Sequence, residues 1–265
     1  QVVTGRWNFT SNTAFNVADP TTADAWTNAT LTNLGGGLFR WDVVFSTGRY
    51  TTGLNYQVVA RPKDFATNVA QGAPAGGEGN TFKFDDVAPV VVSTFPVNNS
   101  FKNAVTMGAL AGTASDAATG NTGLTSVRIL LKARGSTNAT WKGTYSNSSA
   151  DWDTTAGKYN NWITVTGTAE WTQVLPSLAP VDNLKFSLWS LAYDGALNVS
   201  TSPSNAAIDA DQNADGTPAL FFTYDNTNAL TATTFPLPNT GLQSVFPTIS
   251  GTAADPGVEP SGVTE

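Results

Sequence analysis

The sequence predicts an all-β chain built as tandem antiparallel β-sandwiches of about 130 residues per repeat. Three observations predict this. The chain repeats itself; its apolar residues alternate over short runs closed by Gly, Asn, Pro and Thr; and no stretch of about a dozen residues keeps a helical period. Turn signals every 8–15 residues, without alternating helical segments, favour antiparallel sheets over a parallel one.

The repeat sets the organisation. Residues 87–127, VAPVVVSTFPVNNSFKNAVTMGALAGTASDAATGNTGLTSV, return with one gap at 231–264 as TATTFPLPNTGLQSVFPTISGTAADPGVEPSGVT. Phe95-Pro96 falls on Phe235-Pro236, Gly112-Thr113-Ala114 on Gly251-Thr252-Ala253, and Asp116 on Asp255. Residues 41–64 overlay 171–194 without a gap at an offset of 130, which puts Trp41 on Trp171, Tyr56 on Phe186 and Asp64 on Asp194. Phe82, Phe84 and Asp85 fall on Phe222, Tyr224 and Asp225 at an offset of 140. Residues 1–86 therefore read as a partial repeat lacking its opening strands, 87–226 as a complete repeat, and 227–265 as the opening strands of a further one. A sandwich without some of its strands leaves apolar edges and an open core. Two arrangements would answer this: the chain is a window of a longer repetitive polypeptide, or its last strands complete the partial domain of a neighbouring copy.

In order, strands are expected at 38–45, 54–61 and 81–84 of the first unit. In the second they are expected at 90–94, 106–111, 126–133, 162–166, 185–192 and 220–224. The runs VRILL at 127–131 and FSLWSL at 186–191 are the most apolar and belong in sheet centres. The longer polar loops, 136–158 and 200–218, are the places for anything specific.

Composition narrows the function. Charged residues make up only 12% of the chain and the net charge is -7, a weakly acidic surface without a basic patch. That argues against nucleic acid and anionic membranes. No apolar run is long enough to span a bilayer as a helix, so membrane insertion is not expected. The chain has no His and no Cys, which removes Ser-His-Asp and Cys-His nucleophiles and any His-bearing zinc site. Asp151 and Asp153 are the one carboxylate pair that suggests glycoside cleavage, but nothing in the sequence fixes their separation. The chain is not expected to be an enzyme.

Several short patterns carry a family resemblance. They are GTASD at 112–116, WTNATL at 26–31, the WKG and RWN steps at 141–143 and 6–8, a Trp before a strand at Trp41 and Trp171, and the closing segments YQVVARPKDFATN at 56–68 and FSLWSLAYDGALN at 186–198. Together they resemble the Ig-like repeats of large bacterial cell-surface proteins, of adhesin, surface-layer or fibre type, over nearly the whole chain. The resemblance implies an extracellular or cell-surface setting and a role as spacer or assembly module, with no catalytic residues to carry over.

Three groups of side chains are candidates for function. Asp209, Asp211, Asn213 and Asp215 with Gly216 form a D-x-N-x-D-G pattern, whose alternating oxygens and closing glycine can wrap a hard cation; calcium is the cation expected. Position 12 counted from Asp211 is Phe222 where a bidentate Glu would be needed, and Asp and Asn are also ordinary turn residues. Trp141, Trp152 and Trp162, near Asp151 and Asp153, offer stacking faces and acceptors for a glycan. Phe235, Leu237, Val245, Phe246 and Ile249 would supply the apolar side of a junction with another copy of the chain. Asp64, Asp116, Asp194 and Asp255 recur at matching positions and read as turn and strand-end acceptors. The function expected is head-to-tail assembly of copies, by strand complementation, into a filament or surface layer; a carbohydrate-binding or adhesive module is the alternative.

Overall fold

The structure, a computed structural model, describes residues 6–7, 15–17, 26–44, 50–68, 79–116, 121–134, 139–143, 151–175, 182–236, 248–257 and 260–263. The chain is all-β among these residues, with one short helix and one 3-10 turn. It divides into two compact units, residues 1–87 with 117–122 and residues 88–116 with 123–265.

Among the described residues the first unit holds three separate strand pairs. β1 (Arg6–Trp7) pairs with β2 (Phe15–Val17), β3 (Thr30–Gly35) with β4 (Leu38–Asp42), and β5 (Asn55–Val58) with β6 (Asn80–Lys83), all antiparallel. The β3–β4 turn works because Gly35, Gly36 and Gly37 all take positive φ, which a side chain would resist. On β5 and β6, Tyr56 stands opposite Phe82 with ring centroids 5.5 Å apart, and Tyr50 closes on both rings. Tyr56 is the buried residue of this pair of strands.

The second unit has two larger sheets. Its strands are β7 (Val90–Phe95), β8 (Ser100–Lys102), β9 (Leu110–Ser115), β10 (Leu124–Ala133), β11 (Ala139–Trp141), β12 (Trp152–Asp153), β13 (Ile163–Thr164), β14 (Thr166–Gly167), β15 (Glu170–Gln173), β16 (Leu184–Asp194) and β17 (Leu220–Tyr224). One sheet runs β12-β11-β10-β16-β17-β8, with β13 also on β10; the other runs β14-β15-β9-β7. β10 and β16 do lie at the centre of their sheet, where their apolar composition belongs. The β17–β8 pair is parallel, with Phe222 opposite Ser100, so the expectation of purely antiparallel pairing holds for every strand pair but this one among the described residues. A final pair, β18 (Leu230–Phe235) and β19 (Ser250–Ala254), forms a two-stranded sheet of its own.

Strand alternation places the core. On β10 the odd positions Val127, Ile129, Leu131 and Ala133 are buried in one cluster with Leu110 of β9, Trp171 of β15 and Phe186, Leu188 and Phe222 of β16 and β17. Residues of both sheets thus meet in one core, a sandwich-like packing. The even positions face the other way. Leu130 joins Trp189, Ile208 and Ala219 in a second cluster beneath residues 205–219, and Lys132 lies fully buried on that same face.

β9 begins later than the sequence suggests, at Leu110 rather than 106, because Asn103 ends the preceding segment in a turn. Its side-chain oxygen accepts the N–H groups of Val105 and Thr106 at 3.0 and 2.9 Å, so that backbone is not free to enter a ladder.

Candidate functional site

The acidic loop is held against the sheet by its own carboxylates. Ser204 caps the helix α1 (Asn205–Asp209), its hydroxyl oxygen accepting from the Ala207 N–H at 3.1 Å. The chain then turns at Asp211, which takes φ 58°, a left-handed conformation that Asp tolerates better than most residues. Asp211 Oδ2 pairs with Arg134 Nε at 2.7 Å, and its Oδ1 receives Lys132 Nζ at 3.0 Å and the Ser187 hydroxyl at 2.7 Å. Lys132, Arg134 and Ser187 are all on the outward face of β10 or its continuation and of β16. Lys132 also donates to the Ile208 carbonyl at 2.6 Å, and the Trp189 indole N–H donates to the Gln212 carbonyl at 2.9 Å.

Asp209 faces Lys158 at 2.8 Å and accepts from the Tyr159 hydroxyl. The hydrogen bond from Lys158, then that from Tyr159, hold the Asp209 carboxyl below the usual range, and the same bond holds the Lys158 ammonium above its own. Asp215 accepts from the side chain and backbone of Thr217 at 2.7 and 3.0 Å, while Asn213 donates to Thr217 Oγ1 at 3.1 Å and to the Pro218 carbonyl at 3.2 Å. The four predicted ligands are thus engaged: two neutralise cations of the chain and two close the turn that contains Gly216. The three carboxylates do not gather within 4.8 Å of one another. A hard cation at this loop would have to displace Lys132, Arg134 and Lys158, so the donor set does not fit the calcium expected from the D-x-N-x-D-G pattern.

The tryptophans are not assembled into one platform. Trp141 is fully buried and has no face to offer a sugar ring. Trp152, opposite it across β11 and β12, packs on Phe186 with centroids 5.8 Å apart. Both belong to the core between the sheets, whereas Trp162 lies against the second cluster on the opposite face. Asp151 is buried, and Asp153 accepts from Thr155 Oγ1 and N–H at 2.7 and 2.8 Å.

The recurring aspartates are turn acceptors. Asp64 accepts the Asn68 backbone and side-chain N–H groups, both at 2.8 Å; Asp194 does the same with Asn198 at 2.8 and 2.9 Å. Asp116 accepts the Gly123 N–H at 2.8 Å and Asp255 that of Gly262 at 2.6 Å. Within the second unit, Asp116 and Asp194 are both buried with carboxylate oxygens within 4.8 Å of each other. The Gly123 N–H donates to Asp116, and those of Ala196 and Asn198 to Asp194.

The C-terminal hairpin is the site with the clearest internal counterpart. On β7 and β9, Val90 stands opposite Ser115, Val92 opposite Thr113 and Ser93 opposite Gly112, with a bulge before Phe95. On β18 and β19, Leu230 stands opposite Ala254, Ala232 opposite Thr252 and Thr233 opposite Gly251, with a bulge before Phe235. Both Phe-Pro bonds that follow are cis. The anchoring repeats as well: Asp225 Oδ2 accepts from the Ser261 N–H at 2.8 Å, as Asp85 Oδ2 accepts from that of Thr122.

No known family model matches this chain, and no curated protein matches its sequence.

The two hairpins differ in what covers them. β9 is paired on its far edge by β15, with Trp171 opposite Gly112, and Leu110 and Ala114 are buried. β19 pairs with β18 alone among the described residues, and all its residues are exposed, Ile249 just before it at 76%. Phe235 is half-buried; Leu237, Val245 and Phe246 lie outside the described residues. In the first unit, β3 and β4 expose Leu31, Leu34, Leu38, Phe39 and Trp41. No local sequence signal distinguishes a covered hairpin from an uncovered one.

Proposed function

We propose that the chain is a non-enzymatic, extracellular structural protein whose Ig-like sandwich domains join copy to copy, head to tail, by strand complementation into a filament or surface layer. The observation that carries this reading is the pair of matched hairpins. One hairpin of the chain is built into a four-stranded sheet; the other repeats its register, bulge and cis Phe-Pro with both strands exposed apart from the half-buried Phe235. An exposed edge of this kind is a template for another strand, and added backbone pairing with side-chain burial is β-augmentation. A hairpin at one place and an apolar strand pair at another are unlike surfaces, so joining them copy to copy is a heterologous contact, which gives an open fibre where the rotation between copies does not close a ring. A chain without His or Cys and with a surface poor in charge suits packing better than catalysis.

Sedimentation velocity over rising concentration, with negative-stain electron microscopy of the same samples, tests the reading. Species growing beyond a dimer, and linear or sheet-like particles, are expected. A single monomeric boundary at every concentration would sink it.

A further inference from the structure

The second unit displays how a β9-type strand receives its cover. Trp171 of β15 is 1% exposed and lies directly over Gly112 of β9: a Cβ added at Gly112 would come within 2.3 Å of the Trp171 ring and 2.2 Å of the Val92 carbonyl oxygen. Glycine is required there because a backbone and an indole ring both approach it closely. Gly251 is the matching residue of β19. Its Cβ would meet the carbonyl oxygen of Ala232, the counterpart of Val92, at 2.6 Å, and the nearest atoms around it all belong to its own hairpin. Among the described residues no ring is one of those nearest atoms.

The first unit displays the matching ring. Trp41 is the counterpart of Trp171 at the same offset that relates Tyr56 to Phe186 and Asp64 to Asp194, and those two relationships are repeated in strand register and in turn hydrogen bonds. Trp41 is 46% exposed, on a strand that pairs with β3 alone among the described residues.

We infer that β4 of one copy is the docking strand for β19 of a second copy, in the register that β15 uses on β9. Trp41 then stands over Gly251, Arg40 opposite Thr252, and Val43 opposite Ile249, as Trp171, Glu170 and Gln173 stand opposite Gly112, Thr113 and Leu110. The occupant argued for is a second copy: Asp225 holds the Ser261 N–H as Asp85 holds that of Thr122, so the last hairpin is anchored to the repeat before it in the same way as β7–β9, and the Trp strand it adds to belongs to a further repeat, which the first unit of another copy supplies. This inference rests on the assembly reading and specifies its contact.

The native chain has no Cys, which makes introduced thiols unique. Full-length chains carrying Val43→Cys are mixed with chains carrying Ile249→Cys and treated with a short bis-maleimide. A covalent dimer is expected, and none when Val105→Cys, on an exposed residue elsewhere, replaces Ile249→Cys. In parallel, Trp41→Ala is expected to weaken self-association about tenfold or more, as loss of a central aromatic anchor does, while its unfolding curve stays close to wild type. Gly251→Val is the less clean variant because its side chain also strikes Ala232. If wild-type chains associate but Trp41→Ala does not weaken them and the thiols do not join, this contact is overturned while the assembly reading stands. Joining only within a single chain that carries both thiols overturns the second-copy occupant. If wild-type chains do not associate at all, the assembly reading falls and this contact with it.

Discussion

Lys132 Nζ lies 3.0 Å from Asp211 Oδ1, with the Lys132 side chain wholly shielded from solvent and that of Asp211 nearly so. Lys132 comes from the central strand of the large sheet and Asp211 from the loop that covers it, so their pairing fastens loop to sheet. Asp211→Asn keeps a residue that tolerates the left-handed backbone but removes the countercharge from a buried ammonium. Breaking such a pair costs about 3–5 kcal/mol. Lys132→Met is expected to lose clearly less, because Asp211 keeps Arg134 at 2.7 Å. Urea unfolding of both variants checks the order; equal losses would show that the buried ammonium is not the costly partner.

Acid should unfold the protein through its carboxylates, and neutral pH should not matter. Asp209 is held low first by Lys158 and then by Tyr159. At Asp225 burial pushes the carboxyl upward, but the backbone and hydroxyl of Ser261 and the backbone of Thr227 outweigh it, leaving the value lowered. A carboxyl depressed in the folded state contributes stability that is complete above its unfolded value, near ~4, and is lost as pH falls through the lower folded value. With no His in the chain, the melting temperature is expected to be flat from about pH 5 to 8 and to fall below about pH 4. Asp225→Asn should melt lower at neutral pH and lose less on acidification. An acid limb as steep as that of wild type would remove Asp225 from the account.

The two matched tryptophans should behave oppositely on truncation. Trp171→Ala removes a side chain buried between Gly112 and the core and is expected to cost about 3–5 kcal/mol. Trp41→Ala removes a half-exposed ring and should cost within about 1 kcal/mol. Denaturant midpoints compare them directly, and similar losses would mean that Trp41 is already covered in solution.

The central strands were legible because their runs VRILL and FSLWSL are the most apolar of the chain, as a strand covered on both faces requires. Val127, Ile129, Leu131 and Ala133 share one face of β10, and Arg128, Lys132 and Arg134 fall on the other with Leu130. The hairpin match was legible from Phe95-Pro96, Gly112-Thr113-Ala114 and Asp116, which return at Phe235-Pro236, Gly251-Thr252-Ala253 and Asp255. β8, β11 and β12, of two or three residues each, are too short to show a period, whereas the strand expected at 162–166 is found as β13 and the start of β14. The acidic loop misled for a different reason. Asp209 and Asp211 carry the local pattern of a cation loop, but the cations they meet are Lys132, Arg134 and Lys158, 51 residues away for the Lys158–Asp209 pair and further for the others. Local sequence displays acceptors without showing which donors folding will bring to them. Trp141 and Trp162 similarly share a loop-rich stretch, yet they fall in clusters on opposite faces of one sheet.

A contact that sets the Trp41 strand of one copy on the Gly251 hairpin of the next, as proposed above, joins two unlike surfaces. Any row of such molecules would have polarity, with one tip presenting an indole and the other a glycine. The two tips would then grow at different rates, and a single altered side chain could cap one of them while the other went on lengthening.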